Sequence, residues 1–189
     1  MTKTTPEEFD FADWFADANL PEQSADIFTN AALLGEMADL QRRIDVEVRV
    51  QDAEKTAASP TKDSLEDQWV NLAKQFEASK ITVYVRALSG TERKYIREAH
   101  DQAMNDGTEE NSGFIFRVLA MSIVGMKKSG GERKTVDLSV EQVEQLYKKI
   151  GDAQLGAIHD AQLTATNGIP TLDADFLRKL SGPAAGPES

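Results

Sequence analysis

The stretch Ile81-Thr82-Val83-Tyr84-Val85-Arg86-Ala87-Leu88-Ser89-Gly90-Thr91-Glu92 constrains the fold more than any other part of the chain. Its period-two alternation turns Val83, Val85 and Leu88 inward and Tyr84 and Arg86 outward, the pattern of a half-buried strand. Ser89, followed three residues later by Glu92, is a capping box: the hydroxyl accepts from the N3 amide while the carboxylate accepts from the N-cap amide. A strand therefore runs straight into a helix, and a second structural unit begins here.

Upstream, Leu33, Met37, Leu40, Ile44 and Val48 recur at spacings of four, three, four and four, one face of a helix over 31 to about 54. Within it Ile44-Asp45-Val46-Glu47-Val48-Arg49-Val50 also alternates strictly and is rich in β-branched residues, a competing strand signal. The unbroken phase from Leu33 favours the helix. Pro60 reads as a stop and Asp63 as the N-cap of a second helix, about 64 to 79, with Leu65, Trp69, Leu72 and Phe76 on one face. Two amphipathic helices joined by a short polar turn predict an antiparallel hairpin over 31–79.

Downstream, 80–180 reads as a helical globular domain. A helix from Thr91 to about Asn105 precedes a polar loop, and the apolar run from Phe114 to Val124 predicts a central buried helix. A buried strand is the alternative that periodicity leaves open there. Ser139 and Gln142 form a second capping box, opening a helix lined by Val140, Val143, Leu146, Tyr147 and Ile150 and continuing to Ala161, with Gly151 and Gly156 as sites for a kink. A last short helix carries Phe176, Leu177 and Leu180, and the Gly- and Pro-rich residues 181–189 read as a disordered tail. The expected fold class is mainly α: a helical hairpin plus a compact helical block with one or two short β-strands.

Charge narrows the function classes. The net charge is −11, and residues 1–30 hold seven acidic residues against one lysine. Such a balance repels a phosphate backbone, so generic nucleic-acid binding is not expected. Residues 1–30 read as an acidic aromatic arm in which Phe11, Trp14 and Phe15, at helical spacing, are candidate partner contacts. Docking of these rings on the chain's own core is the equal alternative. With no cysteine there is no disulfide, thiol nucleophile or Cys-based metal site. No apolar run approaches a membrane span and the N-terminus turns acidic where a signal peptide needs an apolar core, so a soluble protein not exported by a cleavable signal is expected.

Chemistry-bearing patterns are sparse. His100-Asp101 and His159-Asp160 are adjacent helical positions, about 100° apart, which by themselves make neither a base with its orienting carboxylate nor a metal site. Asp106, Glu109 and Glu110 lack the alternating ligands of a calcium loop, and Lys128-Ser129-Gly130-Gly131 lacks the pattern of a phosphate loop. No catalytic, cofactor-binding or metal residues are assigned, and the expectation is a non-enzymatic protein.

As an ordered series the chain resembles the tail assembly chaperones of long-tailed, siphovirus-type phages of actinobacteria. The residues that carry this are Leu20-Pro21-Glu22 ahead of the helix with Ala38-Asp39-Leu40-Gln41-Arg42-Arg43, and Val83 to Ser89 before a helix. The apolar run Phe114 to Val124, then Leu138 to Leu146, and a closing Ile169-Pro170-Thr171-Leu172-Asp173-Ala174-Asp175-Phe176 complete it. The match spans about residues 20 to 181 and contains no invariant catalytic signature. The resemblance implies a mostly helical, non-enzymatic protein in the host cell cytoplasm that binds the tape measure protein and keeps it soluble while tail tube subunits polymerise around it. It further implies tail tube subunits, or a longer frameshifted form of the chain itself, as additional partners. The arm before Leu20 has no counterpart in that pattern. Two other classes fit the same helical content: a virion structural protein, such as a head-to-tail connector or minor tail protein, and a phage-encoded acidic module targeting a host protein.

Overall fold

The computed structural model describes residues 19–54, 60–108 and 110–168. The arm residues Phe11, Trp14 and Phe15, the helix expected around Phe176 and the tail from 181 lie outside them. Within the described residues the chain is mostly helical, with five helices and a small antiparallel sheet of four strands. In chain order the elements are β1 (Glu22–Phe28), α1 (Leu33–Glu54), α2 (Pro60–Ala78), β2 (Lys80–Arg86), α3 (Gly90–Asn105), α4 (Gly113–Ser122), β3 (Ile123–Lys128), β4 (Lys134–Thr135) and α5 (Val140–Asn167).

The strands are more numerous than the one or two expected. They lie in the order β1-β2-β3-β4, every pair antiparallel. β1 falls within the stretch read as an acidic arm. Its sequence Glu-Gln-Ser-Ala-Asp-Ile-Phe buries only Ile27 fully, so it carries almost no apolar alternation of its own. What makes it a strand is its partner: Glu22 to Phe28 pair in unbroken register with Arg86 to Lys80. β3 begins inside the run expected to be one buried helix. The Ile123 backbone turns extended while its amide still bonds to the Leu119 carbonyl, ending α4 after ten residues. An apolar run without a clear period satisfies either geometry, and here it uses both in succession. Between Tyr84 and Val85 the β2–β3 register slips, leaving Val124 as a bulge.

One face of this sheet carries the main core. Ile27, Val83, Val85 and Ile123 project from it toward α5, which contributes Val143, Leu155 and Ile158, with Leu119 of α4 closing the end. α5 follows the sheet by bending at Gly151, whose φ of 77° breaks an otherwise continuous helix. That left-handed conformation favours glycine. Both expected capping boxes are present: the Glu92 amide donates to Ser89 Oγ at 3.2 Å, and the Gln142 amide to Ser139 Oγ at 3.3 Å.

The excursion between β1 and β2 is helical, and the alternating stretch Ile44–Val50 lies wholly within α1. α1 and α2 pack chiefly on each other. Leu40, Ile44 and Leu65 are buried in their seam, flanked by Val48, Trp69 and Leu72. Pro60 opens α2 instead of acting as a stop, and Asp63 sits in its first turn, not at the cap. Proline suits that position because the first helical amide has no partner to lose. Where the excursion leaves and rejoins the sheet, Phe28 and Phe76 stack 4.2 Å apart and the Thr29 amide donates to the Ser79 carbonyl at 3.1 Å.

Candidate interaction surfaces

The first surface is the flank of the helix pair. A two-helix seam covers one stripe of each helix, and the apolar side chains off that stripe have nothing in this excursion to cover them. Leu34, Val46 and Val50 on α1 are 51%, 59% and 44% exposed, and Val70 on α2 is 43% exposed. The strict alternation of Ile44 to Val50 is the trace of this in the sequence: Ile44 and Val48 serve the seam, while Val46 and Val50 add valines that it does not use. Asp39, Arg42, Arg43 and Glu47 surround Val46 in a shallow groove that Leu65 also lines. Arg42 pairs with Asp39 within its own helix, so the charges there keep the surface hydrated and leave the valines open.

The second surface is the outer face of the sheet, where side chains of alternate parity form a polar lattice. Arg133, in the loop before β4, reaches across three strands. Its guanidinium lies 4.2 Å from the Tyr84 ring centroid on β2, and its two terminal nitrogens donate to the Glu22 carboxylate on β1 at 2.6 and 2.9 Å. A Cβ at Gly125 on β3 would come within 2.7 Å of Arg133 Nε, so the crossing needs glycine beneath it. Asp26 accepts from Thr82 at 2.6 Å and faces Lys80, whose pKa is raised by Glu77 and then by Asp26 itself. At the end of β2, Arg86 grips Glu92 through two bonds of 3.1 and 2.6 Å. That guanidinium, helped by the Ser89 amide and hydroxyl, holds the Glu92 carboxyl down at about 2. These ion pairs tie the strands of the face to one another and to α3.

β1 is also an edge strand. The Pro21 carbonyl accepts from Ala87, and Thr29 donates to Ser79, so odd-numbered residues of β1 bond to β2 and even-numbered ones point to the open edge. At Phe28 that edge is closed by Gln154 of α5: its amide group donates to the Phe28 carbonyl at 3.1 Å while its oxygen accepts from the Phe28 amide. Nothing local in the sequence marks Gln154 or Arg133 for these tasks, since their partners lie 126 and 111 residues away.

The two histidines stay on separate helices. His100 of α3 meets Phe114 edge-on at 5.5 Å, and His159 of α5 lines a cavity beside Arg93 and Arg97. Asp106 accepts from Gln102 as part of the end of α3, and Glu109 lies outside the described residues. Arg117, half-buried, faces Glu141, which is held below the usual carboxylate range first by the Ser139 hydroxyl and in part by that guanidinium. Among the described residues no group of three or more metal-ligating side chains converges, and no helix is long and apolar enough to cross a membrane. No family model matches the chain, and no curated protein and no solved structure is similar to it.

Proposed function

We propose that this chain is a tail assembly chaperone that binds the tape measure protein of a long-tailed phage and keeps it soluble until tail tube subunits enclose it. The observation that carries the reading is the exposed apolar side chains the seam leaves uncovered, above all Val46 and Val50, one turn apart on α1. In this reading residues 31–79 are an antiparallel hairpin projecting from the compact body of 80–180. A long amphipathic client has no place to bury its stripe before the tube forms, and such a hairpin flank offers one. The net charge of −11 keeps the resulting complexes mutually repelled. The resemblance of the chain's residue order to the chaperone family is what points to this client, and Phe11, Trp14 and Phe15 are further contacts.

Co-expression with the tape measure protein tests this directly. The client stays in the soluble fraction with the wild-type chain and returns to the pellet with Val46→Asp plus Val50→Asp, two exposed substitutions that leave the helical circular dichroism unchanged. A client equally insoluble with and without the chain overturns the chaperone reading. Recovery of the chain in purified particles would instead mark it as a virion component.

A further inference from the structure

Away from the helix pair, one cavity combines apolar walls with two arginines that have no ion pair among the described residues. About 180 Å³ opens between α3, α4 and the last turns of α5, walled by Ile96, Val118, Phe114 and Leu163. Phe114 and Leu163 are 37% and 41% exposed, so the apolar wall reaches the surface. Arg93 and Arg97 also line it, one turn apart on α3. Like charges at that spacing repel. Lys94 between them has Glu98 as partner, whereas neither arginine has an ion pair among the described residues. Two exposed guanidinium groups one turn apart beside an apolar wall suit an occupant that brings aromatic rings and carboxylates together.

The chain itself carries such a segment, and tethers it beside the cavity. The Pro21 carbonyl is bonded to the Ala87 amide at 2.7 Å, so the residues before Pro21 leave the body next to Leu88, another lining residue. Residues 1–18 contain Glu7, Glu8, Asp10, Asp13 and Asp17 against Lys3, with Phe9, Phe11, Trp14 and Phe15 among them. The six residue steps from Phe15 to Pro21 span up to about 20 Å when extended, ample to reach. The segment that follows Asn167 starts equally near but is almost charge-balanced, with Asp173, Asp175 and Glu188 against Arg178 and Lys179.

We propose that this cavity is the docking site of residues 9–17 of the same chain, with an aromatic ring against Phe114 and Leu163 and aspartates on Arg93 and Arg97. The contact rests on charge, shape and connectivity, and stands whatever the client of the helix pair proves to be. Where both readings hold, the docked rings are withheld until a client displaces them.

The cysteine-free sequence makes the test clean. In the full-length chain carrying Ala12→Cys and Leu163→Cys, mild oxidation at low protein concentration should give an intramolecular disulfide. Adding Arg93→Glu and Arg97→Glu should slow its formation about tenfold, while Lys127→Glu with Lys134→Glu, the same charge change on the sheet, leaves it unaltered. A rate indifferent to the arginine reversal overturns the proposal, as does a product that is mainly disulfide-linked dimer. A several-fold acceleration on changing Leu172→Asp and Phe176→Asp also overturns it, because the C-terminal segment would then hold the cavity. Client solubility is read separately, so failure here and failure of the chaperone reading are distinguishable.

Discussion

The helix pair and the sheet-backed body bury their apolar residues in different ways. In the body, nine buried residues from strands and helices meet in one cluster, and the sheet gives each neighbours from several elements. In the pair, three residues are buried in a seam between two helices. A 22-residue helix is about 33 Å long, so that seam is stretched thin. Stability in the pair is therefore local and modest, while its surface is large. Regions that change partners are drawn from the weakly held end of a structure, and here the weakly held end also carries the exposed valines.

The comparison can be broken most forcefully in the body. Ile158→Ala, at a fully buried position on α5, should cost about 3–4 kcal/mol of global stability, read from the denaturant midpoint. If it costs no more than a change in the seam, the two regions are not held differently. Trp69→Ala, at a half-buried seam position, should cost about 2 kcal/mol. Hydrogen exchange sharpens this: the α1 and α2 amides should exchange through local opening well before those of α5 between Leu155 and Ala165. Uniform protection across the chain would remove the distinction.

The Arg86–Glu92 clamp, which ties a body strand to a body helix, gives a smaller effect with a defined pH window. The Glu92 carboxyl titrates at about 2 when folded and at about 4.3 when unfolded. Its contribution is therefore complete above the unfolded value and is lost as pH falls toward 2. Glu92→Gln should flatten the stability profile across that acid window and cost about 1 kcal/mol at neutral pH. An unchanged acid slope would show that the clamp is not formed. The smallest effect belongs to Gly125→Ala, which should push Arg133 off Tyr84 at a cost of about 0.5–1 kcal/mol. The Tyr84 ring resonances should shift; if they do not, the crossing is not populated.

Local signals made much of this legible. The two capping boxes and the β2 strand follow from short-range rules, and so does the middle of the helix seam, where Leu40, Ile44 and Val48 meet Leu65, Trp69 and Leu72, while Phe76 turns to stack on Phe28 of β1. β1 was illegible because only Ala25 and Ile27 face the core, too few to register as a period, and its partner lies beyond a long helical excursion. The switch at Ile123 was hidden for the opposite reason: the run is apolar enough to suit either geometry. Of the candidate contacts, Phe11, Trp14 and Phe15 were read from spacing alone, and the described residues contribute only the basic cavity beside the point where their segment departs. Val46 and Val50 are visible in the sequence as a rival strand pattern, an excess of β-branched residues that the helical phase leaves exposed.

The meeting of Thr29 with Ser79 has a consequence for how the chain acquires its fold. That bond joins residues 50 apart in sequence, so zipping β1 onto β2 as a simple ribbon would first require a long floppy loop to close. Loop closure of that kind slows folding. If α1 and α2 find each other first, through contacts that are nearer in sequence, they bring the two strand ends together before any sheet exists. The excursion then acts as a splint, and the order of events runs from the least stable part of the molecule to the most stable.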